Sequence, residues 1–91
     1  MQEKKIERGT LVVSLVGHDK SKVFVITEAE GDFVYIADGK TRSLFKPKRK
    51  KAKHLKPLNV KMDLDKYESV GGLTDGALIK EIKANLKENG G

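Results

Sequence analysis

The chain has 91 residues, 37% of them hydrophobic, and a net charge of +6 from 19 Lys and Arg against 13 Asp and Glu. A chain this short makes one small domain and buries only roughly 60–65% of its unfolded surface, which argues against a deep, water-excluding catalytic cavity. The absence of cysteine excludes disulfides, thiolate metal sites and a cysteine nucleophile, and no apolar run approaches the ~18 residues of a membrane helix.

In chain order, residues 1–8 read as a charged lead-in. Only five mostly apolar residues follow, so no signal peptide is expected and the sequence points to the cytoplasm. Leu11–Leu15 is rich in β-branched and apolar residues and ends at Gly17, which predicts a strand. A polar loop over residues 17–22 leads to a second strand, Val23–Thr27. Glu30-Gly31-Asp32 supplies a turn into a third, Phe33–Ala37. Asp38-Gly39 is a hairpin signal, and Ser43–Lys46 reads as a fourth strand that Pro47 ends. A fifth short strand near Leu55, Leu58 and Val60 would close the set.

Short strands at this spacing predict a small antiparallel barrel over residues 9–60, since a flat sheet so small is not stable alone. Strict alternation assigns Leu11, Val13, Leu15, Val23, Val25, Val34, Ile36 and Leu44 to the core, with Phe24, Phe33, Tyr35 and Phe45 on the opposite face. Residues 61–73 read as a polar linker with Gly71-Gly72 as a flexible joint. Residues 74–88 form the predicted C-terminal amphipathic helix, with Leu78, Ile82 and Leu86 on one stripe, Thr74 or Asp75 as cap, Lys83 and Lys87 toward the far end, and Asn89-Gly90-Gly91 as the stop. A helix of this length needs a surface to pack on, either the barrel or a partner.

The charge is unevenly placed. Residues 40–56 hold nine cations (Lys40, Arg42, Lys46, Lys48, Arg49, Lys50, Lys51, Lys53 and Lys56) and no acid, so this segment carries +9 and the rest of the chain sums to −3. Such a segment suits a polyphosphate partner, because each neutralised phosphate releases counterions. Arg42 and Arg49 are the best candidates for bidentate phosphate contacts. His18, Lys20 and Lys22 on the first loop are candidates for the same polyanion, and His54 lies within the basic run. Neither histidine has the convergent partners that metal ligation or general-base chemistry needs. Gly39-Lys40-Thr41 resembles the end of a phosphate-binding loop, but Val34 stands where that loop needs a Gly. Among the aromatics Phe24, Phe33, Tyr35, Phe45 and Tyr67, the reading favours core for Phe24 and Phe33, and Tyr35 is the best candidate for stacking on a base.

Gly9-Thr10-Leu11-Val12-Val13-Ser14, Gly17-His18-Asp19-Lys20 and Val23-Phe24-Val25-Ile26 together resemble the KOW motif. Phe33–Gly39, then Arg42, Pro47-Lys48-Arg49-Lys50 and Lys53-His54-Leu55, look like the small bacterial KOW-domain RNA-binding proteins, themselves similar to KOW-type large-subunit ribosomal proteins of archaea and eukaryotes. The likeness covers residues 9–58. It implies an SH3-like barrel and a non-catalytic RNA-binding module acting in translation on ribosomal or structured RNA. Its RNA-facing positions would be the His18–Lys22 loop, Lys40, Arg42 and the stretch from Lys46 to Lys56, including Lys48, Arg49, Lys50, Lys51, Lys53 and His54. The family often has Gly where Ser21 stands, which implies a looser loop here.

The expected molecule is a monomeric RNA-binding protein with no cofactor, metal, small-molecule substrate or membrane partner. The alternative is a protein-interaction module of the transcription or translation machinery that uses the barrel and the C-terminal helix, with the helix stripe as its partner face and the lysines meeting an acidic protein.

Overall fold

A computed structural model describes residues 6–70 and 72–89, with side-chain surroundings for 6–67 and 72–86. Five strands form one antiparallel sheet: β1 Thr10–Ser14, β2 Val23–Glu30, β3 Phe33–Ala37, β4 Lys48–Lys51 and β5 Leu55–Lys61. A 3-10 turn at Ala52–His54 joins β4 to β5, and another 3-10 segment, Leu64–Val70, precedes the helix α1, Asp75–Asn89. The spatial order is β4-β3-β2-β1-β5.

The hydrogen-bonded ladder does not close into a barrel, because β4 and β5 are its two edges. The sheet is nonetheless strongly curled. Five flat strands at the usual spacing would hold the outer two roughly 19 Å apart. The 3-10 turn from Lys51 to Leu55 advances only about 8 Å. The outer strands therefore bend toward each other, and β4 comes within side-chain reach of the end of β1.

The fourth strand differs from the expectation. Ser43–Lys46 is a turn, with the Lys46 N–H donating to the Ser43 carbonyl at 3.1 Å, and β4 is the lysine run itself. Pro47 precedes this strand rather than ending one. Asp38-Gly39 does not close a two-residue hairpin either. It opens a loop in which the Asp38 carboxylate accepts the backbone N–H groups of Lys40, Thr41 and Arg42 and the Thr41 hydroxyl. Burial pushes the Asp38 carboxyl up, but these donors outweigh it and hold it below its ordinary value.

The sheet buries parts of both faces. Inside the curl lie Val12, Phe24, Ile26, Val34, Ile36 and Leu55, with Ile6 packed against them. On the outer face Leu11, Val25 and Ala37 pack with Met62, Leu64, Leu78 and Ile82. The expected core list is corrected accordingly. Val34 and Ile36 share a cluster with Phe24 rather than with Leu11 and Val25, and Leu15 is 44% exposed. Two strand faces are needed because the helix supplies a second apolar layer.

A bulge at Thr27 sets the phase of β2. Ile26 pairs with Ile36, but Glu28 pairs with Tyr35, so Thr27 has no opposite residue on β3. Without the bulge, Glu28 and Glu30 would follow Phe24 and Ile26 to the inside. With it, the glutamates share the outer face with Tyr35 and Phe33.

The segment after β5 is not a polar linker throughout. Met62 and Leu64 are buried in the outer cluster, and Tyr67 sits in the 3-10 segment with its hydroxyl donating to Glu81 of α1. Burial, and then Glu81, raise the Tyr67 pKa. The expected joint is only partly visible, since Gly71 lies outside the described residues, as do residues 1–5 of the lead-in and the Gly90-Gly91 stop. The stripe on α1 packs on its own sheet: Leu78 and Ile82 are buried there, with Leu86 against them. Thr74 caps the helix by accepting the Ala77 N–H at 3.1 Å.

Asp75 has a different task. Its carboxylate accepts the Ser43 hydroxyl at 2.7 Å and the Leu44 N–H at 2.8 Å, tying the loop after β3 to the start of α1. Gly39 lies against the same point with φ +82°, and a Cβ there would stand 2.4 Å from the Asp75 carbonyl oxygen.

Candidate nucleic-acid interface

The four cations of β4 divide by strand alternation. Lys50 pairs with Val34 and Lys48 with Ile36, so both take inward positions beside the inner cluster. Arg49 pairs with Tyr35 and Lys51 with Phe33, so both take the outer face, where they are exposed.

The inward lysines span the gap that the ladder leaves open. Lys50 Nζ donates to Ser14 Oγ at 2.8 Å and to the Val16 carbonyl at 3.4 Å. Lys48 Nζ donates to Asp19 Oδ2 at 3.1 Å. Asp19 is only 5% exposed. Its burial raises its pKa, but the hydrogen bond from Lys48 and the charges of Lys48, Arg42 and Lys50 outweigh that and leave the carboxyl below its ordinary value. Lys50 is pushed down by burial first and then by the charge of Lys48. Three cations thus surround one carboxylate. Arg42 Nε is buried there without a hydrogen-bond partner among the described residues.

This arrangement fixes the loop between β1 and β2. Ser21 N–H donates to Ser14 O at 2.8 Å, and Ser14 N–H donates to Lys22 O at 3.0 Å. Ser21 has φ +73°, the left-handed conformation that Gly adopts without strain. The loop expected to be looser for lack of a Gly is therefore tightly hydrogen-bonded, with Ser21 holding the strained position. Asp19 points in and anchors the loop to β4, while His18, Lys20 and Lys22 are exposed.

The remaining candidates fall in several places. Lys40 is exposed on the Asp38 loop, and Lys46 is exposed beside Phe45, itself 79% exposed. Lys53 is exposed on the 3-10 turn and Lys56 on the edge strand β5. His54 is half-buried, and its carbonyl accepts the Leu15 N–H at 3.0 Å. Of the nine cations in the basic segment, six are exposed: Lys40, Lys46, Arg49, Lys51, Lys53 and Lys56. Lys48, Lys50 and Arg42 stand partly inside.

Sequence reasoning gave Ser14 and Asp19 no role beyond their place in the motif and its loop, placed Glu30 only in a turn, and gave no role to Glu28. Asp19 had one usable signal, as the only acid in the loop over residues 17–22. Among the described residues no group of three or more His, Asp and Glu is placed to hold a metal ion. No helix among them is long and apolar enough to cross a membrane. The chain matches no known protein-family profile, and comparison with curated proteins returns no match.

Proposed function

We propose that the protein is a non-catalytic RNA-binding module, with an SH3-like fold of KOW type, that holds RNA through phosphates and works in the cytoplasm on ribosomal or other structured RNA. The observation that carries the reading is the acid-free basic segment, which leaves six cations exposed: Arg49 and Lys51 on edge strand β4, Lys53 on the adjoining 3-10 turn, Lys56 on β5, and Lys40 and Lys46 on the loop before β4. The curl of that sheet, with β5 returning beside β1, supports the finer fold assignment. The protein-interaction alternative uses the barrel and the C-terminal helix; its helix stripe is less open to a partner, because Leu78 and Ile82 are buried against the chain's own sheet.

A salt titration tests the proposal. If about six cations each meet a phosphate of single-stranded RNA, log K falls with a slope of roughly −4 against log salt. Changing Arg49, Lys51, Lys53 and Lys56 together to Ala should reduce that slope to roughly −1 to −2 while leaving the fold intact. RNA affinity that survives this fourfold change overturns the proposal. Co-migration with large ribosomal subunits on a sucrose gradient would identify the RNA as ribosomal.

A further inference from the structure

Helix α1 covers only part of the outer face of the sheet. Leu11, Val25 and Ala37 lie under Leu78 and Ile82. Further along the same face, β3 presents Phe33 and Tyr35, both half-buried, between exposed charged residues. Phe33 lies between Glu30 on β2 and Lys51 on β4, and Tyr35 lies between Glu28 and Arg49. Opposed residues share a face, so the rows run acid, aromatic, base across three strands. Arg49 reaches diagonally, with its Cζ 3.7 Å from the centroid of the Phe33 ring, yet it remains exposed. Beside this pair opens a recess of about 420 Å³ lined by Asp32, Phe33, Lys51, Ala52 and Lys53. Ala52 N–H donates to Asp32 O at 2.9 Å, which fixes the two turns bounding the recess.

We infer that this uncovered half-face is a stacking site for an unpaired base of single-stranded RNA. A guanidinium resting on an aromatic ring is already ordered, so a base that stacks on its outer side does not have to immobilise it. Phe33, Arg49 and the base then form one stack, with Tyr35 alongside. The charge rows orient the strand. Glu28 and Glu30 repel phosphates from the β2 side, while Arg49, Lys51 and Lys53 attract them on the other. The backbone therefore follows β4 and the 3-10 turn, and the base points across β3. Bases in a duplex are already stacked on one another, so the site takes unpaired ones.

This inference rests on the RNA reading, and abasic strands separate the two. An abasic oligonucleotide keeps the phosphates and lacks the stacking surface. The full chain should bind a base-bearing single strand about five-fold or more tightly than an abasic strand of equal length. Arg49→Lys keeps the charge and loses the planar group, and Phe33→Leu removes the ring beneath it. Each should narrow the preference for the base-bearing strand, lowering its affinity about five-fold or more beyond any change seen with the abasic strand. Arg49 is exposed, so its replacement leaves the core untouched even if Phe33→Leu disturbs folding. Equal affinity for the two strands, or an Arg49→Lys protein that binds both as the parent does, overturns the stacking site while phosphate binding stands. Failure of the parent chain to bind either strand overturns the RNA reading itself.

Discussion

Neighbouring lysines on β4 should fail in different ways when each is replaced by Met, which keeps the length of the stem and removes the charge. Lys48→Met takes the hydrogen-bond donor from Asp19, a carboxylate only 5% exposed. A buried acceptor left unmatched costs about 1–3 kcal/mol. The Lys48 side chain is 35% exposed, so water already screens part of the pair, and Arg42 and Lys50 still face the carboxylate. The expected loss is therefore about 1–2 kcal/mol, at the low end of that range. For a domain of this size each kcal/mol moves Tm by roughly 4–8 °C. Lys48→Met should then lower Tm by roughly 4–15 °C and leave the salt slope of RNA binding unchanged. Lys51→Met, on the exposed outer face, should change stability by less than about 0.5 kcal/mol and make the salt slope shallower by about 0.7. Thermal melts and salt titrations on both proteins, at temperatures where both are folded, read the two quantities separately. Asp19→Asn in the Lys48→Met background closes a double-mutant cycle and should recover part of the loss. Equal slopes and equal melting temperatures for the two lysine variants would refute the division of β4 into inward and outward cations.

Acid should act through the same carboxylate. Asp19 titrates below its ordinary value of 3.8 in the folded chain, so on acidification the unfolded chain takes up the proton first. Its contribution is whole above about pH 4 and is lost as pH falls through the lower folded value, and a denaturation series on Asp19→Asn should lack that component. Ser21→Gly should raise stability by up to about 1 kcal/mol in chemical denaturation, because the native φ of +73° strains any residue with a Cβ. Gly39→Ala should lower stability by more than about 2 kcal/mol, since the positive φ and the 2.4 Å approach to the Asp75 carbonyl act together. Glu28→Gln with Glu30→Gln should raise affinity for single-stranded RNA about two-fold at low salt, an effect that fades in high salt as screening removes the repulsion.

The first three strands and the helix were legible because their signals are local. Val23–Ile26 and Phe33–Ile36 are dense in β-branched and aromatic residues, and Leu78, Ile82 and Leu86 repeat at helical spacing. β4 was not, because Lys48–Lys51 has no apolar alternation, and its strand state comes from pairing with β3. The apolar faces were misassigned for two reasons: a sheet covered on both sides does not separate core from surface by simple alternation, and the bulge at Thr27 changes the phase within one strand. The basic segment itself could be read by counting charges. Which of its members turn inward could not, since that depends on the register of Lys48 and Lys50 against Ile36 and Val34.

The open ladder has a consequence for the behaviour of the protein at high concentration. An unpaired strand edge is a template on which another chain can add a strand. Here one edge is a strand made wholly of cations, two of them turned inward, and a second copy approaching it would meet the same positive charge. The other edge contains Pro57, which has no N–H to offer, and its register with β1 shifts between Thr10 and Val12. Neutralising the lysines of β4, for example by acetylation, would remove the first of these protections. The cations of β4 proposed to meet RNA would thus also guard against polymerisation, and a bound polyanion would cover that edge when its charge is most nearly balanced.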